Sequence, residues 1–319
     1  MATTHTVYVL DPYHSDAIHL LKNTPNIKTI LPTDPSKKSW HASAEGVMIR
    51  SETKIAAEDF AKASKLQVIV KQGVGVDNID LDAARAHGVA VHNTPALNSE
   101  SVAELCMALT LSLSRRICEI DRAVRRGETV IRSQVLGMSM YQKTVGVIGM
   151  GNIGKVTAQK WIGAFDCRIL GYDPVAPKDA WSDLKHKRVE NLGELLEQAD
   201  MVTLHVPLLP STRGMIGKRE LKIMKETCIL VNCARGGVVD EGALLVALKE
   251  KRIWGAVLDA MEVEPPTLVA YPELLKLDNV IMTPHVGAST VENQSRSGTV
   301  VVETLLKVLS GESAQGKLC

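Results

Sequence analysis

The chain is poor in aromatic residues. Its 319 positions hold two Phe, five Tyr and four Trp. Its core must therefore be built from Val, Leu, Ile, Ala and Met, a mixture that suits short buried strands of a parallel sheet. It also lacks net charge, with 37 basic residues against 36 acidic ones. No global field draws it to nucleic acid or to an anionic membrane surface. No apolar run approaches the roughly 18 residues that a membrane-spanning helix needs. The first ten residues lack the cationic start, apolar stretch and small-residue cleavage site of a secretory signal. Six cysteines, at 106, 118, 167, 228, 233 and 319, include no C-x-x-C pair and no second ligand set for zinc. The expectation is reduced thiols, no metal and a cytoplasmic location. With 45% apolar and 23% charged residues, disorder, collagen and coiled coil are excluded. At about 100–200 residues per domain, the length suggests two domains.

What the chain does have is alternation. Short apolar runs at 5–10, 46–50, 66–71 and 89–92 are separated by stretches of helical composition such as 52–65. A second series runs at 144–148, 168–172, 201–206, 228–232, 254–259 and 280–283, preceded by an apolar helix candidate at 99–117. A last helix is expected over 291–309. Strand, helix, strand at this spacing implies right-handed crossovers and parallel sheets. The second series reads as a complete doubly wound unit of six strands.

At 143–154 the chain reads KTVGVIGMGNIG. Gly149, Gly151 and Gly154 form G-x-G-x-x-G after a strand and at the start of a helix that includes Asn152 and Ile153. Such glycines allow a tight turn, room for a pyrophosphate and close helix–strand packing. The helix N-terminus offers unpaired N–H groups to phosphate. Asp173 ends the next strand, about 20 residues on, where this fingerprint places the acid that holds the adenosine ribose. A carboxylate there repels a 2′-phosphate, and Pro174 follows rather than a base, so NAD is favoured over NADP.

Three further segments follow strands of the same unit, where ligands collect in such sheets. They are NCARGG with Arg235, DAMEVEPP with Glu264, and TPHVGA with His285. An Arg can grip a carboxylate bidentately. An imidazole can exchange a proton with a carbonyl oxygen near neutral pH, and a neighbouring carboxylate favours its charged form. Beside a nicotinamide, this set points to hydride transfer involving a 2-keto acid. Each residue alone has an ordinary structural reading. Cys233 reads as a small packing residue rather than a nucleophile.

At these residues the sequence resembles the D-2-hydroxyacid dehydrogenase family over nearly its whole length. The matching segments are 149–154, 205–212 (HVPLLPST), 232–244 (NCARGGVVDEGAL), 259–265 and 283–290 (TPHVGAST). The resemblance implies that Arg235 binds the substrate carboxylate, that Glu264 pairs with His285, and that His285 is the acid/base. It implies an aspartate near the nicotinamide amide at Asp259. It also implies cofactor contacts from His205, Pro207, Thr212, Cys233, Ala234, His285 and Gly287. The GVGVDN segment, with Val74 and Gly75, matches a loop whose amides hold the carboxylate. The implied fold is a Rossmann cofactor domain, 99–284, inserted into a flavodoxin-like catalytic domain made of 1–98 plus 285–319.

Within that family the branch it looks most like is that of the 3-phosphoglycerate dehydrogenases. Arg50, Lys71 and Arg132 match basic positions near a substrate phosphate, although Lys71 stands where Arg is more usual. Only nine residues follow Ser310, so feedback through an added C-terminal domain is not expected. The partners implied are a 2-keto or 2-hydroxy acid, possibly phosphorylated, and a second copy. The copies would pair through the cofactor domain, by the helix after Asn98 and the arm at 115–137. Two alternatives remain. One is a glyoxylate, hydroxypyruvate or other 2-keto acid reductase. The other, of a different class, is an NADH-sensing scaffold like the corepressors that share the fold. A formate dehydrogenase is disfavoured because Glu264 stands where that branch carries Gln.

Overall fold

Strands with both faces covered need no polar side, and that is how the short aliphatic runs of this chain are used. In the computed structural model, which describes residues 4–319, the chain divides into two units. One comprises Met1–Asn98 with Ala288–Cys319, and the other is the continuous stretch Ser99–Gly287. The second is therefore an insertion in the chain of the first.

In the first unit, β1 (His5–Val9), β2 (Ile27–Ile30), β3 (Gly46–Ile49), β4 (Val68–Lys71) and β5 (Ala90–His92) form one parallel sheet in the order β2-β1-β3-β4-β5. That is the flavodoxin-like order. Side chains alternate between its faces. Tyr8, Val47, Ile49 and Ile69 pack on one side with Phe60 of α2 (Ala57–Lys62) and Ala84 of α3 (Leu81–Ala86). Val7, Val9, Met48, Val68 and Val70 pack on the other with Ala17 and Leu21 of α1 (Ser15–Lys22). The same face is covered by Val301, Val302 and Leu305 of the last helix, Val291–Leu309.

The second unit holds α4 (Ser99–Ser114), α5 (Ile117–Arg125), β6 (Thr144–Ile148), α6 (Asn152–Phe165), β7 (Arg168–Tyr172) and β8 (Lys187–Arg188). It continues through α7 (Leu192–Gln198), β9 (Met201–Leu204), α8 (Lys218–Ile223), β10 (Ile229–Asn232), α9 (Glu241–Lys249), β11 (Gly255–Leu258) and β12 (Val280–Met282); the last helix of the chain is α10. Its seven parallel strands run β12-β11-β10-β9-β6-β7-β8. Strand order reverses between β6 and β9, the place where open α/β sheets bind ligands at their carboxyl ends. Val145, Val147, Ile229 and Val231 face α4 and α6, while Ile148, Leu204 and Leu230 face α7, α8 and α9. The fold is thus two doubly wound parallel α/β sheets.

The structure departs from the sequence reading in five places. β2 and β8 were not expected, so the sheets have five and seven strands. The 52–65 helix shrinks to Ala57–Lys62, because Ile55 instead bridges to Ile79. The long helix after Asn98 ends at Ser114, where Arg116 turns left-handed (φ 56°) and starts α5. The unit boundary falls after Gly287 rather than after Pro284, because the Asp259 carboxylate holds the amides of Val286 and Gly287. Among the described residues no helix is long and apolar enough to cross a membrane.

Candidate active site

The turn after β6 is a cradle. Gly149 takes φ +98°, a conformation that L side chains rarely adopt. A Cβ on Gly154 would lie 2.2 Å from the Gly149 carbonyl, so only glycine lets α6 start so close to the turn. An added Cβ on Gly151, which caps α6 ahead of Asn152 and Ile153, would meet nothing within 4 Å. That side is open, and the helix aims its first N–H groups there. Asp173 follows β7. Its carboxylate accepts from the amides of Met150 (2.9 Å), Val175 (3.0 Å) and Ala176 (3.1 Å), which ties the acid to the glycine turn. Arg188, which sequence reasoning passed over, donates to the carbonyls of Asp173, Ala176 and Pro177 and fixes the same loop from β8. Open cradle, helix N-terminus and fixed acid are the features a dinucleotide requires, so these residues fit one.

His205 follows β9 across the switch point. Burial pushes its imidazole down to about 3, so it is neutral. Its Nε2 meets Thr203 Oγ1 at 3.0 Å, and its Nδ1 is buried without a partner among the described residues. Thr203 Oγ1 also lies 3.2 Å from Cys106 Sγ. The hydrogen bond that Cys233 gives to Cys106, together with burial, pushes the Cys233 thiol well up, so it stays protonated and is no nucleophile. Thr212 closes the 207–212 turn, donating to the Pro207 carbonyl at 2.6 Å.

The loops after β10, β11 and β12 come together within this unit. Buried Asn232 donates to the carbonyls of Arg235 (2.9 Å) and Ala260 (3.0 Å), and its own side-chain oxygen accepts from the Ala234 amide. A Cβ on Gly236 would sit 2.1 Å from the Met261 carbonyl, so the first two loops pass backbone against backbone. Asp259, 1% exposed, accepts from Thr283 Oγ1 (2.7 Å) and from the amides of Val286 (2.8 Å) and Gly287 (2.9 Å). This holds the 283–287 turn, in which His285 is left-handed with φ 55°. Such a conformation costs a non-glycine residue about 1–2 kcal/mol, and the three bonds to Asp259 offset that cost.

His285 Nδ1 lies 3.0 and 3.1 Å from the two oxygens of Glu264. A carboxylate only accepts, so Nδ1 carries the hydrogen and Nε2 is left as the ring atom that can exchange a proton. Burial pushes the Glu264 carboxyl up. The hydrogen bond and charge of His285, the Met261 amide and the charge of Arg235 outweigh it and hold Glu264 below the usual glutamate value. Arg235 donates through Nη1 to the Ala234 carbonyl at 2.7 Å. A carboxylate-braced imidazole and a guanidinium therefore share one neighbourhood with the glycine cradle's sheet end.

The remaining sequence candidates lie on the first unit, apart from Arg132, which is exposed on the short turn Arg132–Gln134 of the second. Lys71 is buried, and its Nζ donates to the Gly75 carbonyl. Asn93 Nδ2 donates to the Val74 carbonyl (2.6 Å), and the Gly73 carbonyl accepts from the Thr94 amide (3.1 Å). With those carbonyls held, the amides of Val74 and Gly75 carry no hydrogen bond among the described residues. Arg50 Nη1 donates to the Pro12 carbonyl at 3.1 Å.

Comparison with known proteins bears on this arrangement. Residues 107–287 match the family described as D-isomer specific 2-hydroxyacid dehydrogenase, NAD binding domain. A D-3-phosphoglycerate dehydrogenase of Methanocaldococcus jannaschii is 44% identical over 310 residues, 97% of this chain but 58% of that protein. A hydroxypyruvate reductase of Thermotoga maritima is 38% identical over 308 residues, 96% of this chain and 98% of that one. The crystal structure of a D-lactate dehydrogenase from Aquifex aeolicus complexed with NAD and lactic acid superimposes with a TM-score of 0.82 at 30% identity, covering 97% of this chain and 96% of its own.

Proposed function

The chain belongs to the D-isomer specific 2-hydroxyacid dehydrogenase family, and from that premise we propose that it interconverts a D-2-hydroxy acid and the corresponding 2-keto acid with NAD. The observation that carries this reading is the His285–Glu264 pair at 3.0–3.1 Å, set beside Arg235 at the end of the sheet that bears the glycine cradle. Gly149, Gly151, Gly154 and Asp173 would hold the cofactor, which when bound supplies or accepts the hydride. Arg235 clasps the substrate carboxylate. In reduction His285 Nε2 gives its proton to the carbonyl oxygen; in oxidation it takes the proton back from the hydroxyl. Glu264 steadies the imidazolium and its orientation. In the first unit, the presented amides of Val74 and Gly75 fit an anion.

For the substrate, 3-phosphoglycerate and its keto acid are the first reading, with Arg50, Lys71 and Arg132 assigned to the phosphate. Hydroxypyruvate is the second reading. It is favoured by the nearly full-length match to a hydroxypyruvate reductase and by the engagement of Lys71 with a backbone carbonyl. A panel of 3-phosphohydroxypyruvate, hydroxypyruvate, glyoxylate and phenylpyruvate, each with NADH and NADPH, tests both. Turnover with NADH is expected, and His285→Ala should lower it by about 10²–10⁴-fold while NADH still binds. No turnover on any acid, or an unchanged variant, overturns the proposal.

We also infer a homodimer through the second unit. α5 buries none of its side chains, yet carries exposed Ile117 and Val124; Ile131, Leu136 and Tyr141 follow, also exposed. On the same unit, Met107, Ala108, Leu111 and Ala164, with Glu104 and Lys160, line an open groove of about 570 Å³ along α4 and α6. Exposed apolar side chains in such number on one unit suit an interaction site. Sedimentation should report a dimer at micromolar concentration, and a monomer would count against it.

A further inference from the structure

The carboxylate that braces His285 sits on an irregular loop, and the question is what keeps that loop still. Three consecutive amides answer it. The Met261 amide donates to Glu264 Oε1 at 3.1 Å, inside the loop. The Glu262 amide donates to Glu241 Oε1 at 2.8 Å, and the Val263 amide donates to the Tyr271 hydroxyl at 2.8 Å. Tyr271 in turn gives its hydroxyl hydrogen to the Glu241 carboxylate. Two side chains from outside the loop, joined to each other, thus take its two free amides. Both are anchored. Glu241 opens α9, whose first turn is capped by Asp240 Oδ1 accepting from the Ala243 amide at 2.9 Å. Tyr271 is buried in the core cluster beneath α8 and α9.

We propose that Glu241 and Tyr271 are positioning residues for the proton-transfer pair: they set the place of Glu264, and the Glu241 charge supports the imidazolium form of His285 through it. This rests on the reading of His285 as the acid/base. A purely structural brace would not need a third carboxylate here. Glu262 and Glu264 crowd Glu241; burial raises the Glu241 carboxyl, and the other two charges add to that rise against the Glu262 amide and the Tyr271 hydroxyl. Like charges gathered at that cost favour a cation at their open side. The groups facing Glu264 are His285 from the loop after β12, Arg235 from the loop after β10 and Glu241 from α9, and Glu262 of its own loop faces Glu241. Only the first two are basic.

The test is an ¹⁵N NMR titration of the His285 ring in the full chain without substrate, for wild type, Tyr271→Phe, Glu241→Gln and Glu241→Ala. Tyr271→Phe removes the acceptor of the Val263 amide. It should move the His285 midpoint down, because a carboxylate held less firmly beside the ring favours its charged form less. Glu241→Gln keeps an acceptor for the Glu262 amide, so it should fold, yet it too should lower the midpoint; Glu241→Ala should lower it most. Turnover is read in parallel. With an active wild type, kcat in Tyr271→Phe should fall about tenfold while the KM for NADH stays put. Midpoints equal to wild type in Tyr271→Phe and Glu241→Gln overturn the inference. A wild type inactive on every keto acid overturns the acid/base reading instead, and the titration then still decides whether the brace positions Glu264.

Discussion

Two loops of this molecule solve opposite problems with the same materials. In the first unit, the turn after β4 presents backbone. Its carbonyls are tied down by Lys71, Asn93 and Thr94, and the Val74 and Gly75 amides are left without a hydrogen bond among the described residues. In the second unit, the turn after β12 presents a side chain. There the amides of Val286 and Gly287 are consumed by Asp259, and His285 is what remains on display. The lesson is that a functional turn is recognised by which of its polar groups are already spoken for. A loop that has its carbonyls occupied is built for an anion. A loop that has its amides occupied is built around the residue it holds in strain.

The contrast can be broken at several points. Asp259→Asn places an amide donor against amide donors and leaves at least one buried N–H unsatisfied, a loss of about 1–3 kcal/mol. It should lower stability by that amount and reduce turnover further than it weakens substrate binding, because the left-handed His285 loses its restraint; calorimetry and steady-state kinetics check this. Asn93→Ala frees the Val74 carbonyl in the other loop. Here the cost should fall on binding: a rise in KM for the keto acid corresponding to about 1 kcal/mol, with kcat nearly kept. If both variants act on the same kinetic constant, the two loops do not differ in the way argued above.

The smallest effect concerns pH. Glu264 titrates lower in the folded chain than its usual value, so the folded state binds its proton less readily than the unfolded chain does. Its contribution to stability is therefore present above the unfolded glutamate value, near 4.3, and disappears as pH falls through the lower folded value. The pair is partly exposed, with side chains 40% and 34% accessible, so the term should stay below about 1 kcal/mol. Glu264→Gln should flatten the acid end of the stability profile by that much. A profile identical to wild type below pH 5 would remove Glu264 from the account.

Much of this architecture was legible because the strands announce themselves. Thr144–Ile148 and Arg168–Tyr172 are aliphatic runs bounded by polar residues, and they form strands with those limits. Ile27–Ile30 was missed because it is an edge strand, half exposed, with Lys and Thr between its isoleucines. Lys187–Arg188 has no apolar residue at all. The break between α4 and α5 carries no Gly or Pro; it is made by a left-handed Arg116 whose guanidinium pairs with Glu119. At the site, Arg235, Glu264 and His285 could be picked out because they follow strands and match family motifs. Asn232, Glu241, Tyr271 and the grip of Asp259 on the last turn could not. Their work is done on backbone groups, several of them 21 to 28 residues away in the chain, and one-dimensional spacing carries no trace of it.

The route of the chain has a consequence for its biosynthesis. The β1, β3 and β4 face bearing Val7, Val9, Met48, Val68 and Val70 is covered in part by Val301, Val302 and Leu305 of α10, which the ribosome makes only after the whole inserted unit. Until then the part of that aliphatic surface that α1 does not cover stands bare, while Ser99–Gly287 already has every strand it needs to fold. The nascent polypeptide therefore completes its middle before its beginning, and the early segment is the one a chaperone would be expected to shield.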